Sequence, residues 1–271
     1  MRPHPALSGT APKPTWQPIC LGILLRLVQI WMPVLGVHSW RQADTAAMAR
    51  HFFEQGTPIW LPQIDWGGAS VGFVESEFPI YPFLISRFYG VLGINEWIGR
   101  GMSVVCSGLT IWLIVRIGRR WLNPNAGWWS GMVLAISPLG VNYGRAFQAE
   151  SLMILCAVVT LETHSIWVER KARWAIAVSW LSFTLAALIK VIPLLWLGLP
   201  LAMVQLTPSP QAAAQSIHQV WQRFIHLLRS PFFWIYALTA LAVTSAWYLQ
   251  AYQLGEESGL TFGFWGDDNE D

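Results

Sequence analysis

Charge is scarce in this sequence. Lys and Arg number 17 and Asp and Glu 15 among 271 residues, so charged residues make up 12%, roughly half the share in a soluble chain. The net charge of +2 is too small to draw in a nucleic acid, and no basic patch carries interleaved aromatics. Cysteine is also sparse. Cys20, Cys106 and Cys156 all fall inside apolar runs, with no zinc or redox spacing, and read as buried or lipid-facing thiols. The first apolar run contains Arg26 and has no small-residue cleavage site after it. It reads as a retained span, not a cleaved signal peptide.

Apolar residues fill the gap: 54% of the chain is hydrophobic and Trp alone occurs 18 times. Trp and Tyr favour the membrane–water interface. A bilayer crossing needs about 20 apolar residues. Seven stretches qualify as candidates: Trp16–Gly36, Trp97–Gly118, Ala126–Asn142, Ala149–Val168, Trp174–Ile189, Val191–Leu206 and Pro231–Tyr252. The expected fold class is an all-α membrane protein of about seven transmembrane helices. The fifth and sixth stretches are nearly continuous, interrupted by Lys190 and Pro193. They form either a tight helical hairpin or one kinked span that would flip everything after it.

Basic residues decide the orientation. With a cytoplasmic N-terminal tail (residues 1–15), the clusters Arg2/Lys13, Arg116/Arg119/Arg120, Arg170/Lys171/Arg173 and Arg223/Arg229 all fall on the cytoplasmic side, the positive-inside pattern. The membrane domain is then 16–271, with a long external loop, 37–96. Within 208–230, Ile217, Val220, Trp221, Phe224, Ile225 and Leu228 recur at helical spacing against Gln and Arg. This segment is expected to be an amphipathic helix on the cytoplasmic surface.

The external loop has its own pattern. Gln42–Gln55 lacks Gly and Pro, and Gly56 and Pro58 then stop it. Arg41, Asp44, His51 and Gln55 share one face of that helix. After the turn Asp65-Trp66-Gly67-Gly68, the segment Glu75-Ser76-Glu77-Phe78-Pro79 leads into Ile80–Gly93, too short to cross a bilayer. Two interfacial helices are expected here. In an extended segment Glu75 and Glu77 would point the same way.

Five stretches together resemble the N-terminal part of the GT-C superfamily of membrane glycosyltransferases, nearest to the protein O-mannosyltransferases and the aminoarabinose transferases of lipid A. They are His38-Ser39-Trp40-Arg41-Gln42-Ala43-Asp44-Thr45 through Ala49-Arg50; Glu77-Phe78-Pro79-Ile80-Tyr81-Pro82; Glu96-Trp97-Ile98-Gly99-Arg100; Ser137-Pro138 with Tyr143-Gly144-Arg145 and Gln148-Ala149-Glu150; and Leu188-Ile189-Lys190 before Pro193. Each is weak alone, but the order and the shared external side are specific. Two departures stand out. The acid that relatives carry at the start of the first surface helix aligns with Arg41, so its role falls to Asp44 one turn later. Phe78 stands where many relatives have a lysine, so a phosphate-binding role cannot be carried to it.

The resemblance implies transfer of a sugar from a polyprenyl-phosphate donor to a protein, lipid or glycan acceptor on the non-cytoplasmic face. An acceptor hydroxyl needs a carboxylate to take its proton, and the leaving phosphate needs positioned cations. Asp44 is the candidate base, or else a helix N-terminal acid. Glu77 is the second catalytic candidate, or else a capping acid. Arg41, with Gln42 beside it, binds phosphate or pairs with Asp44. Glu75 is expected to be solvated. Arg145 and Glu150 shape the site or form an exposed ion pair. Lys190 approaches the lipid phosphate or snorkels to the interface. His38 and His51 read as interfacial, and His164, Glu162 and Arg26 as snorkelling or paired near cytoplasmic ends of spans.

No metal site is expected. No cofactor is named from the residues, and a need for a divalent cation is left open. The enzyme reading expects Asp44, Glu77 and Arg145 around one cavity open to lipid and to the outside. The alternatives are a non-enzymatic transport or assembly subunit for lipid-linked glycans and an inactive short paralogue. Family members generally continue past the point where this chain stops. A partial protein is therefore expected, either a fragment or the product of a split or truncated gene, and either inactive alone or completed by a partner chain supplying the missing C-terminal half.

Overall fold

The computed structural model describes residues 13–34, 38–68, 70–206 and 217–260. Twelve helices follow in order: α1 (Trp16–Leu27), α2 (Ser39–Glu54), α3 (Ile80–Leu92), α4 (Glu96–Trp121), α5 (Pro124–Ile136), α6 (Pro138–Tyr143), α7 (Glu150–Arg170), α8 (Arg173–Ile189), α9 (Ile192–Trp196), α10 (Gly198–Leu206), α11 (Ile217–Arg229) and α12 (Pro231–Ser258). A 3-10 turn at Asp65–Gly67 and one antiparallel bridge, Gln63 to Phe73, complete the described elements. Helices α4, α7 and α12 are long and apolar enough to cross a membrane; α1, α3, α8 and the run Ile192–Leu206 are shorter apolar helices.

Helix α4 is the axis of the bundle. Two thirds (67%) of its apolar window is buried inside the protein, against 17% for α12, so α12 presents most of its side chains outward. Glycines let α5 lie directly on α4. A Cβ added to Gly118 would meet the Gly127 Cα at 2.7 Å, a backbone approach typical of small residues between membrane helices. Asn123 starts α5 by accepting from the Ala126 N–H at 2.8 Å, with Pro124 at the first helical position.

The expected span Ala126–Asn142 is broken into α5 and α6 at Ser137-Pro138. Proline has no N–H, so the Leu134 carbonyl loses its partner four residues on. Arg26 fills the gap. Its Nη2 donates to the Leu134 carbonyl at 3.1 Å, and its Nη1 donates to those of Ala135 at 3.1 Å and Gly22 at 2.9 Å. At 1% exposure, Arg26 does not snorkel, and among the described residues it makes no ion pair. It lies in the last turn of α1, away from the end at Thr15, and caps a neighbouring helix. A side chain on Gly144 would collide with its guanidinium.

The first helix is shorter than the run Trp16–Gly36 predicts. It ends at Leu27, and Gln29 adopts the left-handed conformation (φ 64°). Arg100 then holds the turn, donating to the carbonyls of Gln29 at 3.0 Å and Pro33 at 2.8 Å. Between α1 and α4, helix α2 begins at Ser39, three residues before the expected start, and Gln55 caps it through the His51 carbonyl. Ala49 of α2 and Tyr81, Ile85 and Tyr89 of α3 bury together against Ile98 of α4 and Phe147. The Tyr81 hydroxyl donates to the Gly99 carbonyl at 2.7 Å. Both loop helices are therefore docked on the bundle through one face. Helix α11 lies within the expected 208–230 segment; residues 207–216 are outside the described ones.

Candidate active site

Four of the residues singled out in the sequence meet at the end of the bundle that carries α2 and α3. Lys190 follows the last turn of α8, and its Nζ lies 2.8 Å from Glu77 Oε1 and 3.4 Å from Glu150 Oε1. Arg41 of α2 places Nη2 3.8 Å from the same Glu77 oxygen. Two cations and two carboxylates from four separate segments thus form one chain of ion pairs. Their side chains are 17–23% exposed, so solvent or a ligand can reach them. Lys190 is an ion-pair centre here, not a snorkelling lysine. Glu77 follows no capping pattern: the residue preceding α3 is Pro79, and no side chain caps that helix.

Asp44, one turn along α2 from Arg41, meets the Asp65–Trp66 turn. It is the sixth residue of α2, so it is no N-terminal cap, and it is buried. Burial pushes its carboxyl up to about 6, opposed by a hydrogen bond with Trp66 and aided by the nearby charge of Asp65. Its Oδ2 has no partner. Asp65 itself is held at 2.6 Å by Arg50 and at 2.8 Å by His51. Trp66 and Asp65 are the residues that sequence reasoning missed. Their turn was legible, but its placement over Asp44 depends on the fold.

Glu75 is a correction. Far from being solvated, it is 2% exposed, and its Oε1 has no partner. Burial raises its pKa first, and the charge of Glu256 adds to the shift. The cause is α12: a Cβ on Gly255 would stand 2.9 Å from the Glu75 Cβ, and the Glu75 N–H donates to the Leu260 carbonyl at 2.9 Å. Glu75 and Glu77 therefore meet different partners, Glu75 on α12 and Glu77 on Lys190 and Arg41.

Arg145 and Glu150 do not pair with each other. Arg145 donates to the Val28 carbonyl at 2.8 Å and to Asn142 Oδ1 at 3.4 Å, tying the α6–α7 turn to the end of α1. Gln42 is buried and accepts from the Phe147 N–H at 3.0 Å; it braces the same turn. The neighbouring Gln148 is buried with its Nε2 unpartnered. His51, read as interfacial, is instead bonded to Asp65 and Gln55. Among the described residues no three His, Cys, Asp or Glu side chains converge as a metal site.

A cavity of about 390 Å³ opens between α1, α4, α6 and α7. Ser107, Thr110, Leu139, Tyr143 and Met153 line it, with Arg26 and Glu150 among its polar groups. Glu150 thus belongs to both the cavity and the ion-pair chain. Asp44, Glu77 and Arg145 do not line this cavity, so it is not the single cavity expected to join all three.

The family described as dolichyl-phosphate-mannose-protein mannosyltransferase matches residues 76–249, well over half of the chain. The chain belongs to this family. It is a GT-C-type glycosyltransferase family, and with its apolar helices the chain is a multi-pass membrane protein. The match runs through Glu77, Arg145, Glu150 and Lys190, while α2, with Arg41 and Asp44, precedes it. Among curated proteins and among solved structures, nothing matches.

Proposed function

We propose that this chain forms the transfer site of a glycosyltransferase that moves a sugar from a polyprenyl-phosphate donor to a protein, lipid or glycan acceptor on the non-cytoplasmic face. The observation that carries the reading is the chain Arg41–Glu77–Lys190–Glu150, assembled from segments far apart in sequence within a family defined by that chemistry. We read seven passes, α1, α4, α5–α6, α7, α8, α9–α10 and α12, of which α4, α7 and α12 are long and apolar enough to cross a membrane. The basic clusters favour placing this site outside.

The division of labour follows from the electrostatics. Glu77 is already engaged by two cations, Lys190 and Arg41. Asp44 sits one helical turn from Arg41 and titrates near working pH, which suits a general base. The acceptor oxygen attacks the anomeric carbon, the bond from that carbon to the phosphate oxygen breaks, and the phosphate leaves with the electron pair. The acceptor proton passes to Asp44. Lys190 and Arg41 exchange their carboxylate partners for the donor phosphate. Glu150 then links this headgroup position to the mainly apolar cavity beside it.

The test is transfer by the full chain in detergent or nanodiscs, supplied with polyprenyl-phosphate sugars and peptide, lipid or glycan acceptors. It is run with and without the product of the neighbouring coding region. Asp44→Asn is expected to lower the rate by about 10²–10⁴-fold with helicity and yield unchanged. Full activity in that variant removes Asp44 as the base.

A further inference from the structure

The other end of α4 holds a pocket that the transfer reaction does not use. It encloses about 360 Å³ and is lined by Thr15, Trp112, Val115, Arg116, Arg119 and Arg120. Its cations are the three arginines; Lys13, outside the lining, holds its Nζ 4.1 Å from the Trp128 ring centre and 4.6 Å from that of Trp129. Two carboxylates face them. Glu162 binds Arg116 Nε at 3.0 Å and Arg120 Nη2 at 2.8 Å, and Glu169 lies 3.8 Å from Arg120 Nε. Arg119 meets no carboxylate among the described residues; its Nη2 donates to the Lys13 main-chain carbonyl, and its Nε is buried without a partner. The three arginines therefore exceed the two carboxylates by one positive charge, and Arg119 is the arginine left over.

We infer that this pocket binds the headgroup of an anionic phospholipid, with the phosphate between Arg119, Arg116 and the Thr15 hydroxyl. Thr15 precedes α1, lines the pocket and makes no side-chain capping bond to that helix, so its hydroxyl is placed to donate to a phosphate oxygen. The argument for a lipid, and against a free phosphate, lies along α4. Val105, Leu109, Trp112 and Arg116 follow one another at helical spacing on one face, and all are exposed. Trp112 stacks with Arg116, ring centre to guanidinium 5.6 Å. This apolar track runs from the pocket toward the middle of α4 and offers an acyl chain continuous contact, while arginine suits a bidentate grip on phosphate. The site does not depend on the catalytic reading.

Native mass spectrometry of the full chain in detergent tests it, with phosphatidylglycerol, phosphatidylcholine or inorganic phosphate added separately. Phosphatidylglycerol adducts are expected to persist and phosphatidylcholine adducts to be lost. Arg119→Gln is expected to lower phosphatidylglycerol occupancy by about tenfold. Thr15→Asp puts a carboxylate at the pocket while supplying a good helix-capping residue. It should lower occupancy similarly without loss of helicity, so it decides the matter even if Arg119→Gln does not fold. Equal retention in both folded variants, equal retention of phosphatidylcholine, or equally tight binding of inorganic phosphate alone would each overturn the assignment.

Discussion

The two ends of the bundle each carry a cluster of arginine or lysine with glutamate, built to different standards. At one end Glu162 is nearly sealed (4% exposed) and gripped by Arg116 and Arg120. Its two oxygens accept from Arg120 at 3.0 and 2.8 Å, and Ser165 accepts from the same arginine. At the other end Arg41, Glu77, Lys190 and Glu150 hold one another at 2.8, 3.4 and 3.8 Å and stay partly open. The closed cluster joins two neighbouring helices, α4 and α7. The open one draws on α2, the segment before α3, the start of α7 and the end of α8. The sealed Glu162 carboxylate ties its two helices together while Arg116 beside it stays 49% exposed; in the other cluster the carboxylates themselves are partly open and can give up their cations to a ligand.

Paired substitutions sharpen that contrast. Glu162→Gln leaves Arg116 without a carboxylate and Arg120 with Glu169 alone, and is expected to cost about 1–3 kcal/mol of stability, read as a drop in thermal midpoint in detergent. Glu77→Gln should cost under about 1 kcal/mol, as partly exposed pairs do, yet reduce transfer strongly. If the two variants exchange these effects, the open cluster is the structural one. The next effect concerns the loop end alone. Gly255→Ala brings a methyl to 2.9 Å from the Glu75 Cβ and must displace the segment that carries Glu77. A loss of about 1–3 kcal/mol is expected, together with lowered transfer, and an unchanged melt would show that the segment yields freely.

The smallest effect is in pH. Asp44 accepts a proton only when ionised, and burial holds its carboxyl at about 6, so transfer should fall by about tenfold per pH unit below that value. The sign for stability is the reverse. A carboxyl whose folded pKa is raised gains stability as pH falls from about 6 toward 4 and loses it again on the way up. A rate profile flat between pH 5 and 7 would break the assignment.

Much of this arrangement was legible in the residues, because hydropathy and helix breaks are local. The helices α4, α7 and α12, the two loop helices and the four members of the open cluster could each be named from sequence. What was not legible depends on contacts across the chain. Glu75 looks solvated until Gly255, far along the chain, closes over it. Arg26 looks like a misplaced charge until the carbonyls freed by Pro138 are set beside it. Asp44 lacks a reason for its raised pKa until the fold buries it and brings Asp65 near, against the opposing bond with Trp66. The run after Trp16 looks long enough to cross the bilayer, but Arg100 binds the carbonyls of Gln29 and Pro33 in a turn.

The bond between Arg26 and α5 also bears on the order in which the protein is made. Its acceptors Leu134 and Ala135 lie 108 and 109 residues downstream. At about 5–20 residues per second they leave the ribosome roughly 5–20 s after Arg26 does. During that interval the first helix carries a cation for which two of its three final acceptors do not yet exist, at an insertion cost of about 2.5–3.5 kcal/mol near a membrane centre. The N-terminal helix therefore cannot reach its final seat until α5 has arrived, so the start of this chain is finished late in its biogenesis.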